Sequence, residues 1–301
     1  MCDDHTPLEF GWVFKPTGET SVQYAIEALS PTDGTPCSPT ENLEILSSLA
    51  TNGQCERFDL SWSNKCTQSL LYPSHLLSRK HQRESQFFIG ENPPPFSHRN
   101  SHLRWHLGVD NARTGLGLKA YFLPEVRSKM TGIPVMDIIT SAINDLGMGI
   151  PWSKATSYFS TLPKEFKIQG VIAAVDCVPD AENRFKVYVR TQATHLSALC
   201  DMLTLGGQLK GSAIDSTLEK LREIWHALFG PISDDTRVEH KQPNAGPTGF
   251  LFYYEMALGN PFPIPKIYIP AARFLDSDAH VAQVISEFVG SCYYDDLKLL
   301  L

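Results

Sequence analysis

No C-x-x-C pair occurs among the seven cysteines (Cys2, Cys37, Cys55, Cys66, Cys177, Cys200 and Cys292), and an odd number cannot all pair with one another. A disulfide framework and a thiolate metal site are thereby disfavoured, and reduced thiols are expected. No apolar run approaches the roughly 18 residues that cross a bilayer. The first residues, MCDDHTPLEF, are too polar and acidic for a secretory signal. No G-x-G-x-x-G follows a strand-like segment, so a dinucleotide-binding parallel sheet has no support. Positive charge is also in deficit: the formal net charge is -7, which argues against nucleic acid or an anionic membrane as partner. A soluble, cytoplasmic protein is the expectation, and any site for an anion must be a local basic cluster against an acidic background.

What is present is globular in character, with 42% hydrophobic and 20% charged residues in a chain of 301, enough for one large domain or two small ones. Strand-like segments fall at 21–29, 85–90, 115–124, 166–179, 184–192, 249–258 and 265–272. Helical spacing falls at 39–50, 61–72, 135–147, 195–207, 213–230 and 277–289; Gly147 stops the third of these and Ser277 is placed to cap the last. Strand pairs thus alternate with helices, and short links such as PDAEN and GNPFPI make the paired strands antiparallel. The segment 91–108, ENPPPFSHRNSHLRWHLG, holds three consecutive prolines and three histidines without a clear period, and reads as a loop.

A short motif recurs in three of the strands: Lys119-Ala-Tyr121, Lys186-Val-Tyr188 and Lys266-Ile-Tyr268, the middle one extended by Arg184. Residues i and i+2 share a face of a strand. Each Lys therefore points the same way as its Tyr, while Ala120, Phe122, Val187, Val189, Ile267 and Ile269 point the other way. The apolar face has to pack on helices. The other face has to line a wet, basic, aromatic interior, an arrangement that a barrel with helices outside satisfies. Such an interior suits a ligand with an anionic head and a cation-forming tail. Lysine and arginine hold phosphate oxygens, and each tyrosine face steadies a carbocation by about 0.5–2 kcal/mol. One K-x-Y alone ordinarily means a lysine reaching into solvent; it is the repetition that points inward.

With TPLEF near the start, these K-A-Y-F, R-x-K-x-Y and P-K-x-Y segments resemble the fungal indole and aromatic prenyltransferases of the dimethylallyltryptophan-synthase type. The resemblance covers nearly the whole chain apart from 91–108 and the last residues. It implies an α+β fold, an antiparallel β-barrel surrounded by α-helices and built from repeated αββα units, here incomplete. It also implies transfer of a dimethylallyl group from dimethylallyl diphosphate to an electron-rich aromatic acceptor in fungal secondary metabolism, with no cofactor and no metal. Carried over by position, Glu9 is the acid that orients the acceptor. Lys119, Arg184, Lys186 and Lys266 grip the diphosphate, and Tyr121, Tyr188 and Tyr268 form a tyrosine shield around the cation. A homodimer is left open, and the acceptor and the position prenylated are not readable.

The chain departs from that family at several points. Gln23 stands where an arginine is usual. The helical region before TPLEF and the segment after CYYDDLKLLL are missing, so a single domain over 1–301, truncated at both ends, is expected. The segment 91–108 reads as an insert between SQFFIG and VDNARTGLGLKAYFLP, and as translated intron. These departures keep a second reading open: an inactive remnant that at most binds prenyl diphosphate or an aromatic ligand. Asp234-Asp235 and Asp295-Asp296 do not continue as the D-D-x-x-D box of metal-dependent prenyl transferases. His98, His102 and His106, spaced by four, lie in the odd segment, and Trp225 and Leu228 fit a helix core.

Overall fold

Eight segments that mostly alternate apolar residues with polar or small ones form strands. They are β1 (Leu8–Phe14), β2 (Thr20–Ile26), β3 (Trp105–Ala112), β4 (Gly115–Phe122), β5 (Gln169–Asp176), β6 (Arg184–Thr191), β7 (Phe250–Ala257) and β8 (Ile264–Tyr268). The computed structural model describes residues 8–14, 20–26, 41, 44–45, 47–48, 51, 58–71, 105–112, 115–241 and 249–289, of which 8–14, 20–26, 105–112 and 115–116 are described by backbone and register. The strands form one sheet in sequence order, β1 to β8, with every neighbouring pair antiparallel. Among the described residues β1 and β8 pair only with β2 and β7, so the sheet is an open one.

Helices occupy the links between strand pairs and follow the last strand. They are α1 (Ser61–Leu70), α2 (Glu125–Thr131), α3 (Val135–Asp145), α4 (Gly149–Phe159), α5 (Leu196–Thr204), α6 (Ser212–Phe229), α7 (Ala271–Phe274) and α8 (Asp278–Val289). Helices α1 and α3 to α7 pack their buried residues on the apolar side of the sheet. Ala120, Phe122, Val175, Phe185, Val187, Val189, Phe252 and Tyr254 are at most 1% exposed, in one core with Trp62, Ile139, Ile143, Trp152, Leu199, Met202 and Trp225 from the helices. Burying a side chain of this size contributes about 1.5–3 kcal/mol, so the sheet–helix layer holds the fold.

Local chemistry sets the helix limits. Ser277 accepts a hydrogen bond from the His280 N–H at 3.3 Å, as the cap reading expected. Gly147, at φ +77°, ends α3 in the left-handed region. On β5 the register slips between Gly170 and Ile172, and this bulge turns both Val171 and Ile172 toward the tyrosines of the opposite face. Gly170 then lies under α3, where a Cβ would meet Met136 Sδ at 2.5 Å.

The structure corrects the sequence reading in three places. Glu9 belongs to a strand, β1, that the nearly all-apolar LEFGWVF did not suggest. Residues 105–108, read as the end of an irregular segment, belong to β3, where Leu107 opposes Ile26 and Ala120. The alternation His106, Gly108, Asp110 runs on through that boundary and carries the strand across it. The remainder of 91–108, the strand at 85–90 and Asp295-Asp296 lie outside the described residues. Helices α2, α4 and α7 were not expected; in α4, Pro151 stands in the first turn, where its missing N–H costs nothing.

Candidate active site

The face of the sheet away from the helices gathers every sequence-derived candidate. Lys119 opposes Asp176, Lys186 opposes Ala174 and Glu255, Tyr188 opposes Ile172 and Tyr253, and Lys266 opposes Tyr253. Directly opposed residues of antiparallel strands share a face. The row Glu9, Ala25, Gly108, Lys119, Asp176 runs across five strands and places Glu9 and Lys119 on one face. Gln23, two residues from Ala25, holds a register position on the same face, opposite Gly11 and Asp110.

This face is curled inward. Strands two apart in a flat sheet lie about 9.6 Å from each other. The rings of Tyr121 on β4 and Tyr188 on β6 are 6.1 Å apart, and those of Tyr188 and Tyr268 on β8 are 6.0 Å apart. Tyr253 completes the group, 5.2 Å from Tyr188 and 5.8 Å from Tyr268. Tyr188 and Tyr253 are buried, Tyr121 is half-buried, and Tyr268 is 45% exposed at the β8 edge. Burial, the neighbouring phenols Tyr121 and Tyr268 and the hydrogen bond to Tyr268 hold the Tyr188 hydroxyl far above the usual phenol range. Burial first, then Glu255, does the same for Tyr253. Tyr188 and Tyr253 are therefore neutral phenols at any ordinary pH.

Three of the four cations fall into two groups. Lys266 sits over the Tyr253 ring, 5.1 Å from its centre. Arg184 and Lys186 converge on Asp176: Lys186 Nζ donates to Oδ1 at 2.6 Å and Arg184 Nε donates to Oδ2 at 2.7 Å. Arg184 Nη1 also donates to Glu255, 3.3 Å from Oε1 and 3.4 Å from Oε2. Asp176 and Glu255 are 5% and 7% exposed. They were missed in the sequence because neither belongs to the Lys/Tyr repeat. The signal was available: Glu255 is the single charged residue of β7, FLFYYEMA, and Asp176 shares the parity of Ala174.

These two acids change the electrostatics. The four cations of the motif contribute +4, and Asp176 and Glu255 bring the set to +2. Burial raises the Asp176 carboxyl, but Lys186, Arg184, the hydrogen bond from Lys186 and Lys119 outweigh it, and the net value lies below the usual range. Burial lowers the Lys186 ammonium, helped by Arg184 and Lys119 and opposed by Asp176, and brings it to about 8. Arg184 is lowered by burial, but Asp176 and Glu255 lift it above its ordinary value.

Elsewhere the acidic and aromatic motifs have structural partners. Asp235 accepts from Ser197 Oγ at 2.6 Å, and Asp234 lies 3.7 Å from Arg222 and 3.8 Å from His226. Trp225 is fully buried against Phe229 and Phe250. Among the described residues no group of three or more His, Cys, Asp or Glu could hold a metal ion, and no helix is long and apolar enough to cross a membrane.

An open antiparallel sheet with helices packed on one face is the fold shared with the aromatic prenyltransferase barrels. The fold matches AnaPT from Neosartorya fischeri with a TM-score of 0.71 at 22% identity, over 97% of this chain and 66% of that one. It matches 6-dimethylallyltryptophan synthase from Micromonospora olivasterospora, solved with DMASPP and Trp, with a TM-score of 0.67 at 15% identity, over 98% of this chain and 72% of that one. The family model for tryptophan dimethylallyltransferase matches residues 1–298, and the chain belongs to that family. A similar curated protein is 4-O-dimethylallyl-L-tyrosine synthase of Claviceps purpurea (strain 20.1), 27% identical over 99% of this chain. The chain spans 67% of that relative's length.

Proposed function

We propose that the protein transfers a dimethylallyl group from dimethylallyl diphosphate to an electron-rich aromatic acceptor of fungal secondary metabolism, in the cytoplasm and without a metal. The observation that carries this reading is the juxtaposition, on one inward-curled face, of Lys119, Arg184, Lys186 and Lys266 with the ring group Tyr121, Tyr188, Tyr253 and Tyr268. The cations hold the diphosphate. As the C–O bond breaks, the electron pair leaves with the diphosphate, whose growing charge they stabilise. The allyl cation is left among tyrosine faces. Because Tyr188 and Tyr253 stay protonated, they attract the cation without offering a phenolate that would capture it. Glu9 orients the acceptor, the acceptor's ring carbon or oxygen attacks the allyl carbon, and the proton it carried passes to a base.

Purified protein incubated with dimethylallyl diphosphate, EDTA and a panel of indoles and phenols tests the proposal. Prenylated product together with diphosphate release is expected. Release of no diphosphate with any acceptor would leave a protein that only binds these ligands.

A further inference from the structure

The repeat accounts for the cations of the inner face but not for the carboxylates among them. Asp176 bridges the two cations of β6 from the neighbouring strand, taking Lys186 on one oxygen and Arg184 on the other. Lys186 is 6% exposed. A lysine that deeply placed keeps its proton only if a counter-charge offsets desolvation. Charges face it from every adjoining strand: Asp176 on β5, Arg184 on β6, Glu255 directly opposite on β7, and Lys119 on β4 opposite Asp176. Arg184 and Lys119 repel its charge, and Asp176 is the anion to which its ammonium donates a hydrogen bond.

We infer that Asp176 is a positioning residue for the diphosphate: it keeps Lys186 protonated and aligns Lys186 with Arg184, although its own charge repels the ligand. The inference rests on the proposed reading of Lys186 and Arg184 as diphosphate ligands. It makes an outcome opposite to simple electrostatics. Deleting a negative charge beside an anion site ordinarily tightens anion binding. Here the deletion discharges the buried lysine and weakens it.

The test uses the full chain, as wild type, D176N and D176E. Two quantities are followed between about pH 6 and pH 9: the titration of the Lys186 Nζ by nitrogen NMR without ligand, and the affinity for the thiolodiphosphate analogue of dimethylallyl diphosphate by calorimetry. In D176N the Lys186 midpoint is expected to fall by about one unit or more, affinity near pH 7.5 to drop about five- to tenfold, and most of the loss to be regained near pH 6. D176E, which keeps the charge, is expected to restore both quantities. Tighter binding by D176N at every pH, or an unmoved Lys186 midpoint, overturns the inference. Should wild type not bind the analogue at all, the diphosphate reading fails, while the NMR midpoint still decides whether Asp176 holds the Lys186 proton. If D176N does not fold, D176N/K186M is expected to fold, since the unpaired lysine is gone; a double variant that stays unfolded overturns the inference.

Discussion

At the scale of single residues, the protonation states decide what this face can bind. Lys186 sits near 8 where an ordinary lysine stays charged to about 10.5. Its cation is present below that value and disappears as the pH rises through it. Affinity for a prenyl diphosphate is therefore expected to fall across about pH 8 in the wild type, and K186M is expected to bind weakly on both sides with that edge removed; calorimetry over a pH series measures this. The linkage to stability has the same origin. Between about 8 and 10.5 the unfolded chain binds the proton that the folded one does not, so this group makes folding more favourable as pH rises through that window. Tyr188 touches three rings, and in the proposed mechanism it acts on the cation through its ring rather than its hydroxyl. Y188F is expected to keep turnover within about fivefold, whereas Y188A, losing about 0.5–2 kcal/mol of cation stabilisation and the seal against water, is expected to lose about 10-fold or more. A rise of dimethylallyl alcohol over prenylated product in Y188A would report the water that enters.

At the scale of elements, the strands are locked where backbones approach most closely. Gly249, at φ +98°, lies where a Cβ would stand 1.7 Å from the Thr191 carbonyl oxygen, at the join of β6 and β7. G249A is expected to destabilise the protein by about 1–3 kcal/mol from the backbone conformation alone, with more from the clash, read as a fall in thermal midpoint. An unchanged midpoint would mean that this join is not held as described. The elements also show why some of the fold was legible and some was not. β4, β6 and β8 were readable because Lys and Tyr interrupt an apolar alternation at every second residue, which fixes both the strand and the direction of each face. β1 was not, since LEFGWVF is apolar on both faces and carries only Glu9 as a clue. The start of β3 lay close behind three prolines and a run of histidines. The site was half legible for a related reason. Repetition exposes residues that recur strand by strand, and the counter-ions Asp176 and Glu255 occur once each, so nothing but strand parity assigns them to the inner face.

At the scale of the whole molecule, the two faces of the sheet have separate tasks. The outer face and the helices bury Trp62, Trp152, Trp225 and the phenylalanines of β6 and β7 almost completely, and this layer supplies the cohesion. The inner face buries charge instead: Lys186, Asp176 and Glu255 are each under a tenth exposed. Charge taken out of water costs several kcal/mol per ion before pairing returns part of it. The molecule therefore carries a charged face that opposes its own stability, as the proposed binding of an anion there would require. The separation can be tested with one pair of variants. D176N/K186M removes Lys186 together with its buried counter-ion and leaves Arg184, itself half-buried, on Glu255, so its thermal stability is expected to be unchanged or raised, by up to about 1–4 kcal/mol, while prenyl transfer is lost. W225A, on the other layer, is expected to cost about 3–5 kcal/mol. Differential scanning calorimetry beside a product assay reads both. A D176N/K186M chain as unstable as W225A would mean that the charged face holds the fold, and the division of labour between the two faces would have to be abandoned.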